Sequence, residues 1–202
     1  ILGSHFPKTE LPEKIKNIGN SVFEFCTGLP SIEIPKIMTI IPSRMFYRCT
    51  NLTSVIFHGD VTKIQSTSFY NCSSLSSIDL PETVTSIGFS SFRCCSSFKF
   101  FNIPNDVEYI GESCFYYCTS LQTITIPEKI TDIEAELFHC CYELSSINFL
   151  GNITTFNAYS FSKCYSFNSF TFPKTLTMIY EMAFSYCTGL KYIEIPESVE
   201  YI

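Results

Sequence analysis

Apolar side chains recur along this chain in a frame of 23 residues, which is clearest from Pro104 to Ile126. With the proline as step zero, apolar residues stand at steps 3, 6, 11, 17, 20 and 22, and a cysteine stands at step 14. Step 11 holds Phe23, Phe46, Phe69, Phe92, Phe115, Phe138, Phe161 and Phe184. Three residues later come Cys26, Cys49, Cys72, Cys95, Cys118, Cys141, Cys164 and Cys187. Leu or Phe fills step 17 from Leu29 to Leu190, and Ile, Val or Phe fills step 20 from Ile32 to Ile193. Self-similarity at a fixed period is the signature of a repeat architecture. It predicts eight repeats without insertion or deletion, at residues 12–34, 35–57, 58–80, 81–103, 104–126, 127–149, 150–172 and 173–195. Residues 1–11 read as a degenerate partial repeat, with Phe6 and Leu11 in frame and Gly3 where cysteine is due. Residues 196–202 read as the start of a ninth copy, so a fragment of a longer protein is expected.

A single repeat cannot bury its own apolar face, and stacked neighbours bury it together, so the fold class expected is a repeat solenoid. Steps 19 to 22 alternate between polar and apolar, as in Ser77-Ile78-Asp79-Leu80 and Thr123-Ile124-Thr125-Ile126. That alternation predicts one strand per coil with one face inward. Strands stacked at about 4.8 Å form a parallel sheet, and the proline at step zero, lacking an N–H, ends each strand. His58 and Leu150 replace that proline, followed by Gly59-Asp60 and Gly151-Asn152, pairs that form an alternative bend rather than a ligand site. A second extended stretch is expected at steps 3 to 6, as from Val84 to Ile87, and a short helical or 3-10 turn at steps 8 to 14, as from Glu112 to Cys118.

Composition then narrows the chemistry. Thirteen basic residues face 19 acidic ones for a net charge of −6, whereas phosphate binding draws on clustered Lys and Arg, so no nucleic-acid partner is expected. No apolar run approaches the ~20 residues of a membrane span, and no signal-peptide pattern opens the chain. Eight of the 11 cysteines share one step, which predicts a row of buried, reduced thiols rather than disulfides. Cys94, Cys114 and Cys140 complete no tetrahedral set, so neither metal nor cofactor is expected. His5, His58 and His139 fall at unrelated steps, and no nucleotide-binding or hydrolase motif is present. The carboxylates at step 21, Glu33, Asp79 and Glu194, lie coils apart and cannot flank one reacting atom. The reading is that the chain is not an enzyme.

The run Cys-x-x-Leu-x-x-Ile-x-Ile-Pro-x-x-Val/Ile-x-x-Ile-x-x-x-x-Phe-x-x-Cys, as from Cys118 to Cys141, resembles the BspA-like (Treponema pallidum type) leucine-rich repeats over essentially the whole chain. The resemblance implies a right-handed leucine-rich-repeat superhelix of 23-residue coils, with a concave parallel β-sheet and the short turns on the convex side. It also implies a function in binding proteins, as in surface adhesins of oral bacteria and families of anaerobic protists. The Phe, Ile, Ser and Cys usage suits a protist source with an AT-rich genome. The concave face is then where specificity would be written, on outward residues at steps 19 and 21. The candidates are Ile56, Asp79, Phe100, Asn102, Thr123, Thr125, Asn148, Thr171, Tyr192 and Glu194. Most outward positions are small and polar; Ile56, Phe100 and Tyr192 break that rule, and exposed aromatics on a rigid surface are usual interface anchors. The alternative for Phe100 is packing beside Phe98 and Phe101.

The function expected is a non-catalytic module that binds a protein ligand through its concave sheet. The alternatives are a cell-surface adhesin ectodomain that binds host or matrix molecules, and a structural spacer in a longer array. End-to-end self-association through the two ends is a further possibility. The thiol row favours a reducing, cytoplasmic compartment; the alternative is the cell surface, where the sequons at Asn51, Asn71 and Asn152 would carry glycans.

Overall fold

The computed structural model describes residues 9–15 and 18–202. Gly3 and Phe6, the in-frame residues of the partial repeat, lie outside the described residues, as does His5. The chain is a parallel β-solenoid. Every strand pairing joins residues 23 apart: Ser31 opposes Ser54, Lys63 opposes Ser86, Thr123 opposes Ser146 and Thr155 opposes Met178. This is the period of the apolar frame, so sequence repeat and coil are the same unit. At the N-terminal edge Thr9–Glu10 pairs in parallel with Ile32–Glu33 in the same register.

Two strand rows run along the stack. The row at steps 5 and 6 consists of two-residue strands: Ile40–Ile41, Lys63–Ile64, Ser86–Ile87 and Tyr109–Ile110 form one sheet, and Asp132–Ile133, Thr155–Phe156 and Met178–Ile179 another. The row at steps 19 to 22 departs from one strand per coil. It forms one sheet from Thr9–Glu10, Ser31–Ile34 and Ser54–Phe57, and a second from Phe100–Phe101, Thr123–Ile126 and Ser146–Phe149. Ser77–Leu80 joins neither, and the row does not resume after Ser146–Phe149, because Ser169–Phe172 and Tyr192–Ile195 are both unpaired. Two coils carry Phe at both step 17 and step 20: Phe98 and Phe101 lie in the coil after Ser77–Leu80, and Phe167 and Phe170 lie in the coil of Ser169–Phe172 itself. The Phe101 ring sits 4.8 Å from both Phe92 and Phe115. Phe170 lies 5.3 Å from Phe161 and 4.8 Å from Phe184. A second ring wedged between core rings adds volume at the level of the strand, and interiors packed at crystal density absorb such volume by backbone shifts.

The opposite side of each coil is not helical. Steps 8 to 14 form consecutive turns in which the residues at steps 9 and 13 are left-handed in all eight coils, from Ser21 and Phe25 to Met182 and Tyr186, with φ between 50 and 62°. None of the sixteen is glycine, although each such residue costs on the order of 1 kcal/mol. The hydrogen bonds account for the choice. In the coil holding Phe115, the N–H groups of Ser113, Phe115 and Tyr117 donate to the carbonyls of Ala135, Leu137 and His139 in the next coil, at 2.9, 3.1 and 2.8 Å. The intervening N–H groups of Cys114, Tyr116 and Cys118 donate back to Gly111, Ser113 and Phe115 within the coil. A helix would direct all of these groups along its own axis. Left-handed residues at the third position of the turns closed by Cys114 and Cys118, as in type II turns, send alternate N–H groups to the neighbouring coil, and every N–H from Ser113 to Cys118 is paired. The i to i+3 bonds of a 3-10 helix are present, but the alternating dihedrals prevent a helix.

Inside the turns, the step 11 rings form a continuous stack from Phe23 to Phe184, with neighbouring centroids 5.2 to 6.0 Å apart. The six interior rings, from Phe46 to Phe161, are fully buried. Cysteine at step 14 has its own reason. The Phe92 carbonyl accepts the N–H of Cys95 from its own coil at 3.1 Å and the thiol of Cys118 from the next at 3.2 Å. The same thiol-to-Phe bond recurs from Cys49 to Cys187 at 3.0 to 3.2 Å. Cysteine is small enough for the core and still donates to a buried carbonyl's second lone pair. The cysteines are free thiols. The Gly-Asp and Gly-Asn bends are also explained: a Cβ on Gly59 or Gly151 would collide with the backbone carbonyl of Lys36 or Glu128 in the preceding coil.

Two outcomes follow from this core. Phe115→Ala removes one ring from the middle of the stack and is expected to cost about 3–5 kcal/mol in urea unfolding, because the flanking coils cannot collapse into the gap. Burial also raises the thiol pKa values: to about 12 for Cys49 and Cys114, to about 11 for Cys187, and well above the ordinary 9.0 for Cys72, Cys95, Cys118, Cys141 and Cys164. Unfolded thiols ionise first, near ~8.5, so this stabilising contribution is complete below that pH and is lost as pH rises toward the folded values. Urea midpoints at pH 7.5 and pH 10 check it; the midpoint is expected to be lower at pH 10.

Candidate functional site

The alternation in the strand row sends Ile32, Val55, Phe101 and Ile124 into the core and leaves their neighbours facing water. The candidates Ile56, Asp79, Phe100, Asn102, Thr123, Thr125, Asn148, Thr171, Tyr192 and Glu194 are all exposed. They are not joined in one hydrogen-bonded sheet. Phe100 opposes Thr123, which opposes Ser146, and Thr125 opposes Asn148. Asn102 follows that sheet's first strand. Ile56 belongs to the other sheet, opposite Glu33. Asp79 and Thr171 lie in the unpaired segments, and Tyr192 and Glu194 in an unpaired stretch near the C-terminal end.

Phe100 stands apart within this set. It is 62 % exposed and makes no ring contact among the described residues, whereas Phe98 and Phe101 are buried against each other at 5.1 Å. Packing against its neighbours therefore does not explain it. Tyr192 is 73 % exposed and Ile56 44 %. A hollow of about 460 Å³ opens where the strand row ends, lined by Asn148, Gly151, Asn152, Thr171, Phe172 and Lys174 among others. A larger one, about 780 Å³, lies beside Glu33, Lys36 and His58, where the imidazole Nε2 is 2.9 Å from the Glu33 carboxylate. The described residues that line it are Glu10, Leu11, Glu13, Glu33, Pro35, Lys36, Ile37 and His58. Among the described residues, no cluster of His, Cys, Asp and Glu has metal-binding geometry, and no helix is long and apolar enough to cross a membrane.

A second set of surface residues escaped the sequence reading, which took steps 8 to 14 only as core-facing. Several step 12 side chains stack in groups along the outside of the turns. Tyr47 lies on Tyr70 with centroids 4.7 Å apart, and Tyr116 lies on His139 at 4.8 Å. The Arg93 guanidinium covers Tyr116 at 3.7 Å and Arg44 covers Tyr47 at 4.0 Å. Arg44 also pairs with Glu24, holding that carboxyl below its ordinary pKa. Burial lowers the pKa of His139. The available signal was positional: rows of Tyr, Arg and His at one step, visible once every repeat is aligned.

Comparison with known proteins then gives a family. The family described as BspA type leucine rich repeat region matches residues 3–104 and 85–202, in six copies. A leucine-rich repeat protein from Bacteroides ovatus is similar at 30 % identity with a TM-score of 0.89, over 95 % of this chain and 52 % of that chain. The T. pallidum leucine rich repeat protein is similar at 25 % identity with a TM-score of 0.75, over 79 % of this chain and 77 % of that one. A leucine rich cell surface protein from Faecalibacterium prausnitzii follows at 26 % identity and a TM-score of 0.65, over 95 % and 48 %. The chain thus spans about half the length of the Bacteroides and Faecalibacterium proteins. No curated protein matches it.

Proposed function

The chain belongs to the BspA-type leucine-rich repeat family, and from that premise we propose that it is a non-catalytic module that binds a protein ligand on its strand face. Repeats of this family are generally non-enzymatic, with a fold of the protein-interaction and adhesin type. The observation that carries the reading is Phe100: an exposed ring without a ring partner, set opposite Thr123 on a rigid three-stranded sheet. Large side chains held at low conformational cost are the usual anchors of an interface, and small polar neighbours such as Thr123, Thr125, Ser146 and Asn148 provide its surround.

A surface adhesin is the second reading, favoured by the similarity to the Faecalibacterium protein described as a cell surface protein. A cytoplasmic location accords with the free thiols. Asn51 and Asn152 are exposed, while Asn71 is half-buried in a left-handed turn. A surface location would therefore place glycans on the first two.

The test is a photo-crosslinking side chain at Thr123 in protein expressed in its native source. A discrete partner is expected, with capture reduced about tenfold by Phe100→Ala, and mass spectrometry of Asn51 and Asn152 on the same material reports the compartment. Capture of no discrete protein, or capture indifferent to Phe100→Ala, rejects the strand-face site and leaves the spacer reading.

A further inference from the structure

The sequence contains three arginines, Arg44, Arg48 and Arg93, and all three lie on the turn side of the solenoid, in a chain of net charge −6. Arg48 and Arg93 lie two coils apart, with Tyr70 on the coil between them. The Arg48 N–H donates to the Tyr70 carbonyl and the Asn71 N–H to the Arg93 carbonyl, each at 2.7 Å, so Arg48, Tyr70 and Arg93 stand on adjoining coils in direct register. All three side chains act on the Cys94 thiol. Around them lie flat rings: Tyr47 stacks on Tyr70, Arg48 lies 5.8 Å from the Phe25 ring and 5.7 Å from Tyr47, and Phe25 is 55 % exposed.

Charge at this spot is incompletely answered. Arg44 is occupied by Glu24, and Arg93 meets Glu136 only at 3.9 Å through Nη1. The Arg93 Nε is buried without an acceptor. Arg48 is exposed and has no carboxylate partner among the described residues. A guanidinium held against an aromatic face keeps its planar fork available for a carboxylate. Arg and Tyr are also the side chains most enriched at the energetic centres of protein interfaces. The strand face, by contrast, is mostly Ser, Thr and Asn.

We propose that the turn side centred on Arg48, Tyr70 and Arg93 is a second docking surface, and that its occupant is an acidic peptide segment of a partner protein. Carboxylates complement the two arginines, and the rings of Phe25, Tyr47 and Tyr70 supply area for the side chains between them. The chain's net negative charge repels a long polyanion beyond this patch, which disfavours nucleic acid as the occupant.

The probe is a fluorescein-labelled hexaglutamate peptide, with binding to the full chain read by anisotropy at low and moderate salt. Saturable binding is expected, weakened by salt and reduced about tenfold by Arg48→Gln. Arg48 is exposed, so this variant folds, and circular dichroism and the thermal midpoint verify that. Lys129→Gln, which removes an equal charge from a residue paired with Asp106 and Glu108, is expected to bind within about twofold of the parent. The proposal is overturned by any of three results: no saturable binding at millimolar peptide, Arg48→Gln binding like the parent, or Lys129→Gln weakening binding as much as Arg48→Gln.

Discussion

The turn-side ladder sets the coil length. Each coil sends the N–H groups of steps 9, 11 and 13 to the carbonyls of steps 8, 10 and 12 in the next coil, while the intervening N–H groups close turns within the coil. That division holds only if the left-handed residues recur at the same two steps every time, as they do from Ser21 to Tyr186. One inserted residue would turn the donors of a coil away from their acceptors and leave buried polar groups unpaired, at about 1–3 kcal/mol each. The uninterrupted 23-residue frame follows from this constraint. The Phe stack and the thiol-to-Phe bonds are locked to it, because a ring at step 11 and a thiol at step 14 meet their neighbours only while the coils stay in register.

With the turn side so tightly determined, the strand side is free to vary. Its row is interrupted at Ser77–Leu80 and ends after Ser146–Phe149, and the coils go on stacking through Met178–Ile179 without it. The solenoid thus separates its tasks: the turns and the Phe and Cys rows hold the coils, and the strand row presents side chains. Outward positions on the strand row can change without touching the core, as Phe100 does in a row of Ser and Thr. The outer edge of the turns carries varied side chains at step 12, where Tyr47 stacks on Tyr70 and Arg93 on Tyr116.

Much of this was legible in the sequence, for a physical reason. Burial selects side-chain type, so the rows of Phe, Cys, Leu and Ile could be read directly, and alternation at steps 19 to 22 placed Phe100 outward and Phe101 inward. The left-handed turns were hidden because they select no side-chain type: Ser21, Glu136 and Met182 occupy equivalent steps, and glycine, the usual marker of positive φ, is absent from all of them. The interrupted strand row was hidden because each strand segment alternates correctly by itself. The departures coincide with ring volume from Phe101 in the coil after Ser77–Leu80 and from Phe170 within Ser169–Phe172, which no single segment's alternation shows. The arginine and tyrosine contacts were hidden because step 12 points away from the core, so no apolar periodicity marks it.

Amide hydrogen exchange measured residue by residue tests the central claim, that the turn-side ladder rather than the strand row holds the coils together. The slowest exchange is expected at Phe92, Phe115, Tyr117 and Phe138, whose N–H groups cross between coils, with rapid exchange in the unpaired Ser77–Leu80 segment. Slow exchange through Ser77–Leu80 combined with rapid exchange at those four amides would contradict the account.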